Sequence, residues 1–198
     1  MSASTEGADY AQRLHRIGDV WWKRALNVQA PYRAHLRRLE LGFVLDVGCG
    51  IGRNLSHLDG NGVGVDHNTE AVANVRSMGY QAYTADEFHQ STHATPGTFD
   101  SLLISHVLEH MPRADAVKLV KEYTPYVKPG GKVVFITPQE RGYASDATHV
   151  DFVGFDEAAE IAAQAGLVVD KQYSFPLPRA AGKVFTYNEF VLLGHLPA

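Results

Sequence analysis

Hydrophobic residues change their spacing along the chain, and the change marks its organisation. Around residues 31–39, Tyr32, Leu36 and Leu39 recur at helical intervals behind Pro31, a residue suited to a first helical turn. Helices are expected at 10–18, 20–29 and 31–39. From residue 43 the pattern becomes short, continuous apolar runs, at 43–47, 62–66, 80–85, 99–105, 132–137, 167–173 and 184–196. Between them lie amphipathic stretches. The helix from Arg53 to Leu58 comes first, followed by one starting at Asn68, with Val72, Val75 and Met78 inward and Gly79 as its stop. A helix at 113–123 presents Val117, Val120 and Tyr123, and one at 156–165 ends at Gly166. Strands apolar on both faces and alternating with helices imply a mostly parallel sheet covered on two sides. Residues 89–98, 138–151 and 176–182 are expected as loops. The chain divides into a helical extension, 1–40, and an α/β domain, 41–198.

Composition narrows the classes. A chain of 198 residues with 45% hydrophobic content suits one α/β domain with a sizeable core. A net charge of −4 leaves no nucleic-acid footprint on the chain as a whole. Residues 10–40 differ: seven basic residues stand against Asp19 and Glu40, which suits an anionic substrate, a membrane surface or a solvated helix face. Trp21 and Trp22 in that segment either cap a ligand cleft or pack on the sheet. The lone Cys49 excludes a disulfide framework. No basic-then-apolar leader and no run of about 20 apolar residues is present, so a cytoplasmic protein is expected. A homodimer is allowed but not signalled.

The candidate chemistry begins where the first apolar run, 43–47, breaks into glycines. Strand, glycine loop and helix open a nucleotide-binding α/β unit, because glycine lets a ligand touch bare backbone. The spacing is Asp-x-Gly-x-Gly-x-Gly, with Asp46 before Gly48, Gly50 and Gly52. It differs from the dinucleotide fingerprint, since Arg53 and Leu55 stand where a third glycine would be. Asp46 would repel a phosphate and welcome an ammonium or sulfonium. Gly62-Val63-Gly64-Val65-Asp66 follows, a second strand ending in an acid that suits two ribose hydroxyls.

These segments resemble the class I S-adenosylmethionine (SAM) dependent methyltransferases, whose first motif looks like Leu45-Asp46-Val47-Gly48-Cys49-Gly50-Ile51-Gly52. The turn Lys128-Pro129-Gly130-Gly131 and the run Val107-Leu108-Glu109-His110 are similar to that family too. The resemblance covers 43–196. It implies a Rossmann-like seven-stranded sheet with an antiparallel last strand and helices on both faces. It also implies roles around SAM. Gly48 and Gly50 would bed the methionine part, alongside Asp46, Cys49 and Asn54. Asp66 would take the ribose, and His67 would pack on adenine. Asp86, with Glu87 or Phe88 beside it, would accept from the adenine amino group, and His106 would border the methionine end. For Asp66 and Asp86 the structural alternative is a helix cap.

His106-Val107-Leu108-Glu109-His110 spells H-x-x-E-H, a zinc-peptidase signature. That motif needs a helix and a further ligand, and here it follows a strand, so no metal site is assigned to it. Glu109 and His110 either touch substrate or cap the next helix. Residues 138–151 are long for a structureless loop, and such loops are commonly functional. Within it His149 suits a general base, because imidazole with an ordinary pKa near ~6.5 can take a hydroxyl proton. Asp151 or Asp146 would orient it, and Tyr143, Asp146 and Trp22 would meet substrate. The alternatives are a histidine that pins the loop, or a Mg²⁺ ion held by His149 and Asp151. The expected activity is O-methylation of a small hydroxylated acceptor, a sugar or short saccharide. More loosely, the chain resembles bacterial sugar methyltransferases of the methylmannose type. A quinone, phenol or lipid-like acceptor and a non-catalytic SAM-binding partner subunit are the competing expectations.

Overall fold

Val44, Leu45, Asp46 and Val47 are all buried and form β1 (Val44–Val47), the centre of the sheet. The computed structural model describes residues 29–198. Trp21, Trp22 and the helix expected at 10–18 lie outside the described residues, as does nearly all of the one at 20–29. β1 is flanked in parallel by β2 (Gly62–Val65) and β4 (Phe99–Ser105). The three-residue β3 (Gln81–Tyr83) lies outside β2, and β5 (Val127–Pro138) runs parallel to β4. β7 (Glu189–His195) pairs antiparallel with β5, and β6 (Val168–Phe175) closes the edge against β7. The order 3-2-1-4-5-7-6 is a seven-stranded Rossmann-like sheet in which one strand, β7, opposes the rest.

Alternate strand residues feed two cores, as the pleat requires. Leu45, Val47, Leu102, Ile104, Val133, Phe135 and Leu192 meet α5 (Arg113–Tyr123) and α7 (Phe155–Gln164) through Val117, Val120, Ala158 and Ile161. On the opposite face Val44, Leu103, Val134, Ile136 and Val191 meet α1 (Ala30–Arg38), α2 (Arg53–His57) and α3 (Thr69–Ser77). Leu36 and Leu41 belong to that second core, so residues 30–41 are fastened to the sheet. Arg37 adds a surface tie, donating to both Asp59 oxygens (2.7 and 2.8 Å) and to the His57 carbonyl (3.0 Å).

Three expectations need correction. The third strand stops at Tyr83, because Thr84 and Glu87 form a reciprocal capping box that starts α4 (Ala85–His89). The last strand begins at Glu189 rather than 184: Val184 is 80% exposed, and an apolar sequence there has no sheet face to cover. The loop 138–151 holds a short helix, α6 (Glu140–Tyr143), anchored by ion pairing between Glu140 and Arg179.

Candidate active site

The strand order reverses between β1 and β4, and ligands of open α/β sheets bind at the carboxyl ends of strands at such a point. There the glycine loop is stitched to β2. Gly48 and Cys49 both donate to the Val65 carbonyl (2.7 and 3.1 Å), and Gly50 donates to Asp66 Oδ2 (2.8 Å). The other Asp66 oxygen accepts from the Asn68 amide (2.9 Å), so this buried acid fixes the loop against the start of α3. His67 is largely exposed, with Nδ1 3.5 Å from Asp66 Oδ1.

The glycines have different tasks. Gly48 lies at φ +74°, and a Cβ there would run into Val107 Cγ2, so its bareness serves packing against the segment after β4. Gly50, at φ +50°, faces open space: nothing lies within 4 Å of where its Cβ would stand. Of the three motif glycines, only Gly50 has open space where a side chain would stand. Gly48→Ala should therefore cost about 2–4 kcal/mol, from combined backbone strain and overpacking, a loss readable as a lower midpoint in urea unfolding. Cys49 is buried with its thiol pushed up by burial, and its Sγ fills the space beside Gly64.

Asp46 is fully buried. Oδ1 accepts from Asn54 Nδ2 (3.2 Å), while Oδ2 has no partner. Burial, with Asp66 adding repulsion and Asn54 opposing, pushes its pKa up to about 7. A buried carboxylate oxygen without a donor is costly unless something cationic arrives.

His106 follows β4 in the left-handed region (φ +57°), an uncommon conformation for a side-chain-bearing residue. Its Nε2 lies 2.9 Å from Glu189 Oε1 and its Nδ1 3.4 Å from Glu109 Oε1. Crowding by protein opposes its charge, but the ring keeps 44% of its surface open to water and the two carboxylates prevail, raising its pKa to about 10. Glu189 was not expected from sequence. It reaches the site because β7 runs antiparallel, which brings its first residue to the carboxyl end of β5, opposite Pro138. Had the strand been read as starting at 189, an acid opening an antiparallel strand beside β5 would have been the clue.

Beyond β4 a 3₁₀ turn, Leu108–His110, carries the fully buried Glu109. Neither Glu109 oxygen makes a hydrogen bond, and its backbone carbonyl accepts from the amides of Val150 (2.7 Å) and Asp151 (3.2 Å). That tie lays His149 beside His110, with ring centroids 4.8 Å apart. His149 Nδ1 meets the Tyr143 carbonyl at 2.6 Å and its ring stacks on Tyr143. Burial holds His110 below the ordinary imidazole range, with Glu109 opposing that shift. Glu109, His110 and His149 each offer a ligand atom within 4.8 Å of the others.

Several expected contacts are not made. The Asp151 carboxylate pairs with Arg113 (2.9 Å) and the Asp146 carboxylate accepts from the Thr148 amide and hydroxyl, while the His149 ring meets the Tyr143 carbonyl and the His149 amide the Asp146 carbonyl. Phe88 is fully buried against Phe99, Tyr123 and Tyr126 and faces no cleft. Glu87 is committed to the capping box and to Arg76 (2.7 Å), whereas Asp86 is exposed in the first turn of α4.

The family model described as a methyltransferase domain matches residues 21–172. The chain belongs to this methyltransferase family. The unpartnered Asp46 oxygen and the open face of Gly50 leave an anionic, backbone-lined seat at the end of β1. The methyltransferase is 35% identical over 105 residues to a ubiquinone biosynthesis O-methyltransferase of Colwellia psychrerythraea, covering 48% of this chain and 41% of the relative. A protein of the same name from Albidiferax ferrireducens is 31% identical over 155 residues, 68% of this chain and 60% of the relative. The methyltransferase thus spans about two fifths to three fifths of these relatives' length. A SAM dependent methyltransferase from Archaeoglobus fulgidus superposes with a TM-score of 0.65 at 19% identity, covering 83% of this chain and 92% of that one. The methyltransferase in a Haloferax volcanii complex with the Trm112 activator gives 0.67 at 20%, covering 86% and 90%. These two likenesses concern the fold. Among the described residues no helix is long and apolar enough to cross a membrane.

Proposed function

We propose that this methyltransferase acts on a phenolic or quinol hydroxyl. The observation that carries an O-methylation site is the convergence of Glu109, His110 and His149 beside the glycine loop, joined to it through Val107 packing on Gly48. The acceptor class draws on the relatives, which are named for ubiquinone biosynthesis, and on the aromatic setting of His149 between Tyr143 and His110. Nothing in those names points to the sugar expected from the sequence.

Bound S-adenosylmethionine supplies a methyl group on a positively charged sulfur, already activated for attack. Asp46 would hold the amino-acid ammonium through Oδ2, Gly50 would bed the chain, and Asp66 would take the ribose hydroxyls with the lone pairs its two amide partners leave free. Asn54 adjoins Asp46 and His67 adjoins Asp66, and Asp86 would accept from the adenine amino group. His106, held between Glu109 and Glu189, would border the methionine end of the donor. A hydroxyl nucleophile must shed its proton during transfer, and the Glu109–His110–His149 cluster is where it would do so. His149 is the chosen base within it, because its Nδ1 is held by a carbonyl and only Nε2 remains as a proton acceptor.

The test measures release of S-adenosylhomocysteine with catechols and quinols, and separately with mono- and oligosaccharides. Turnover confined to the aromatic hydroxyls is expected. Turnover confined to saccharides would return the reading to a sugar acceptor, and SAM binding without any turnover would favour a non-catalytic partner subunit.

A further inference from the structure

The segment that carries His149 joins β5 to α7 over residues 139–154, and an arginine from outside it grips an acid near each end. Near its start, Glu140 at the head of α6 receives both arms of the Arg179 guanidinium, with Nη1 donating to Oε2 at 2.8 Å. Near its end, Asp151 Oδ2 accepts from Arg113 Nε at 2.9 Å. Arg179 lies in the 3₁₀ stretch Arg179–Lys183 between β6 and β7, and its guanidinium carbon stands 4.6 Å from the ring centroid of Phe190, a buried residue of β7. Arg113 opens α5, and its Nη1 donates to Glu160 of α7 at 2.9 Å. Each guanidinium is thus held twice, by the acid of the loop and by a second group on a long, regular element.

Between those grips the His149 ring is placed by backbone. α6 has 4 residues, so its carboxyl end goes where Glu140 is held. That end offers the Tyr143 carbonyl, 2.6 Å from His149 Nδ1, and the Tyr143 ring on which the imidazole stacks. A carbonyl can only accept, so the contact keeps the proton on Nδ1 and leaves Nε2 bare. On the other side the Val150 and Asp151 amides reach the Glu109 carbonyl, and Arg113 fixes the Asp151 carboxylate. We propose that Arg179 and Arg113 are positioning residues that set the aim and tautomer of the His149 ring, acting through Glu140 and Asp151 from the two ends of the loop. Guanidinium suits this task, because its planar fork fixes a carboxylate in orientation where an ammonium acts as a point charge. Both pairs are partly exposed, and such pairs add little to global stability. Position is a stricter demand: a displacement of about 1 Å can slow a reaction about a hundredfold. The effect on rate rests on the proposed role of His149; the hold on its ring does not.

The test uses the full chain and reads the ring as well as the rate. Arg179→Gln and Arg113→Gln should each slow single-turnover methyl transfer about tenfold or more, with SAM affinity and the unfolding midpoint close to wild type. Retained SAM binding shows that a variant is folded. Glu140→Gln should match Arg179→Gln, and the double variant should be no slower than either, since both remove one grip. In a His149→Ala background neither arginine substitution should slow transfer further, because no ring is left to aim. The ¹⁵N shifts of the neutral His149 ring read its placement without turnover: wild type should carry the proton on Nδ1 alone, and each arginine variant should show a mixture of tautomers. A ring that keeps its single tautomer in both variants would overturn the proposal, and so would slowing that persists undiminished without His149. If no acceptor turns over, the proposed function fails while the ring spectrum still decides the two grips.

Discussion

Replacing His149 with alanine is expected to slow single-turnover methyl transfer about a hundredfold or more, the usual scale for losing a positioned proton acceptor. SAM affinity should not change. The hydrogen bonds on His149 run to the Tyr143 and Asp146 carbonyls, and its neighbours' amides are tied to the Glu109 carbonyl. A fall in rate under saturating SAM and acceptor therefore reports on the chemical step. If the loss appeared only as a rise in acceptor KM, His149 would contribute binding rather than activation. Repeating the wild-type measurement after chelation separates the two ways the residue can act. A chelated enzyme as slow as His149→Ala points to a bound divalent ion, and an unaffected one to the imidazole itself.

The second large effect is expected at Asp46, and it runs in opposite directions for binding and stability. Asp46→Asn keeps the shape and an oxygen for Asn54 Nδ2, and removes the charge. Charge-assisted hydrogen bonds are worth about 1.5–3 kcal/mol, so SAM should bind roughly ten to a hundredfold more weakly. The ligand-free variant should nonetheless be more stable than wild type at pH 8. In the folded chain the pKa of Asp46 is raised to about 7, above the ordinary carboxylate value near ~3.9. Between those values the native state binds more protons than the unfolded one, so stability falls as pH rises through that window. Above it the full penalty of a buried charge beside Asp66 is present, and asparagine escapes it. Thermal unfolding of both proteins at pH 5 and pH 8, without ligand, reads this directly: the gap should open at the higher pH. A variant less stable than wild type at pH 8 would mean that the unpartnered oxygen is satisfied within the protein, leaving no vacancy for an ammonium.

Most of the sheet was legible because buried strands announce themselves as unbroken apolar runs. Residues 99–105 and the helix at 113–123 match the structure end to end. Elements set by non-local partners were harder. Residues 184–188 are as apolar as a strand, but β5 offers pairing partners only as far as Pro138, opposite Glu189. Residues 84–85 look like strand until the reciprocal bond between Thr84 and Glu87 is counted. At the site, the acids ending β1 and β2 follow from their position after strands. His110 and His149 could not be paired from sequence, because 38 intervening residues are folded back by two amide bonds to the Glu109 carbonyl. Glu189 was hidden for the same reason, since only an antiparallel partner brings it round.

Those two amide bonds carry a consequence for affinity. A long loop that orders only when its ligand arrives loses conformational entropy at that moment, about 1–2 kcal/mol for each residue fixed. Here the segment bearing His149 is already closed on the turn bearing Glu109, and folding has met that cost before any acceptor enters. Binding should therefore show a small entropic penalty, and the Val150 and Asp151 amides should exchange slowly with solvent deuterium in the free protein. The loop behaves as a fixed wall of the cleft, and an acceptor must fit the wall as it stands.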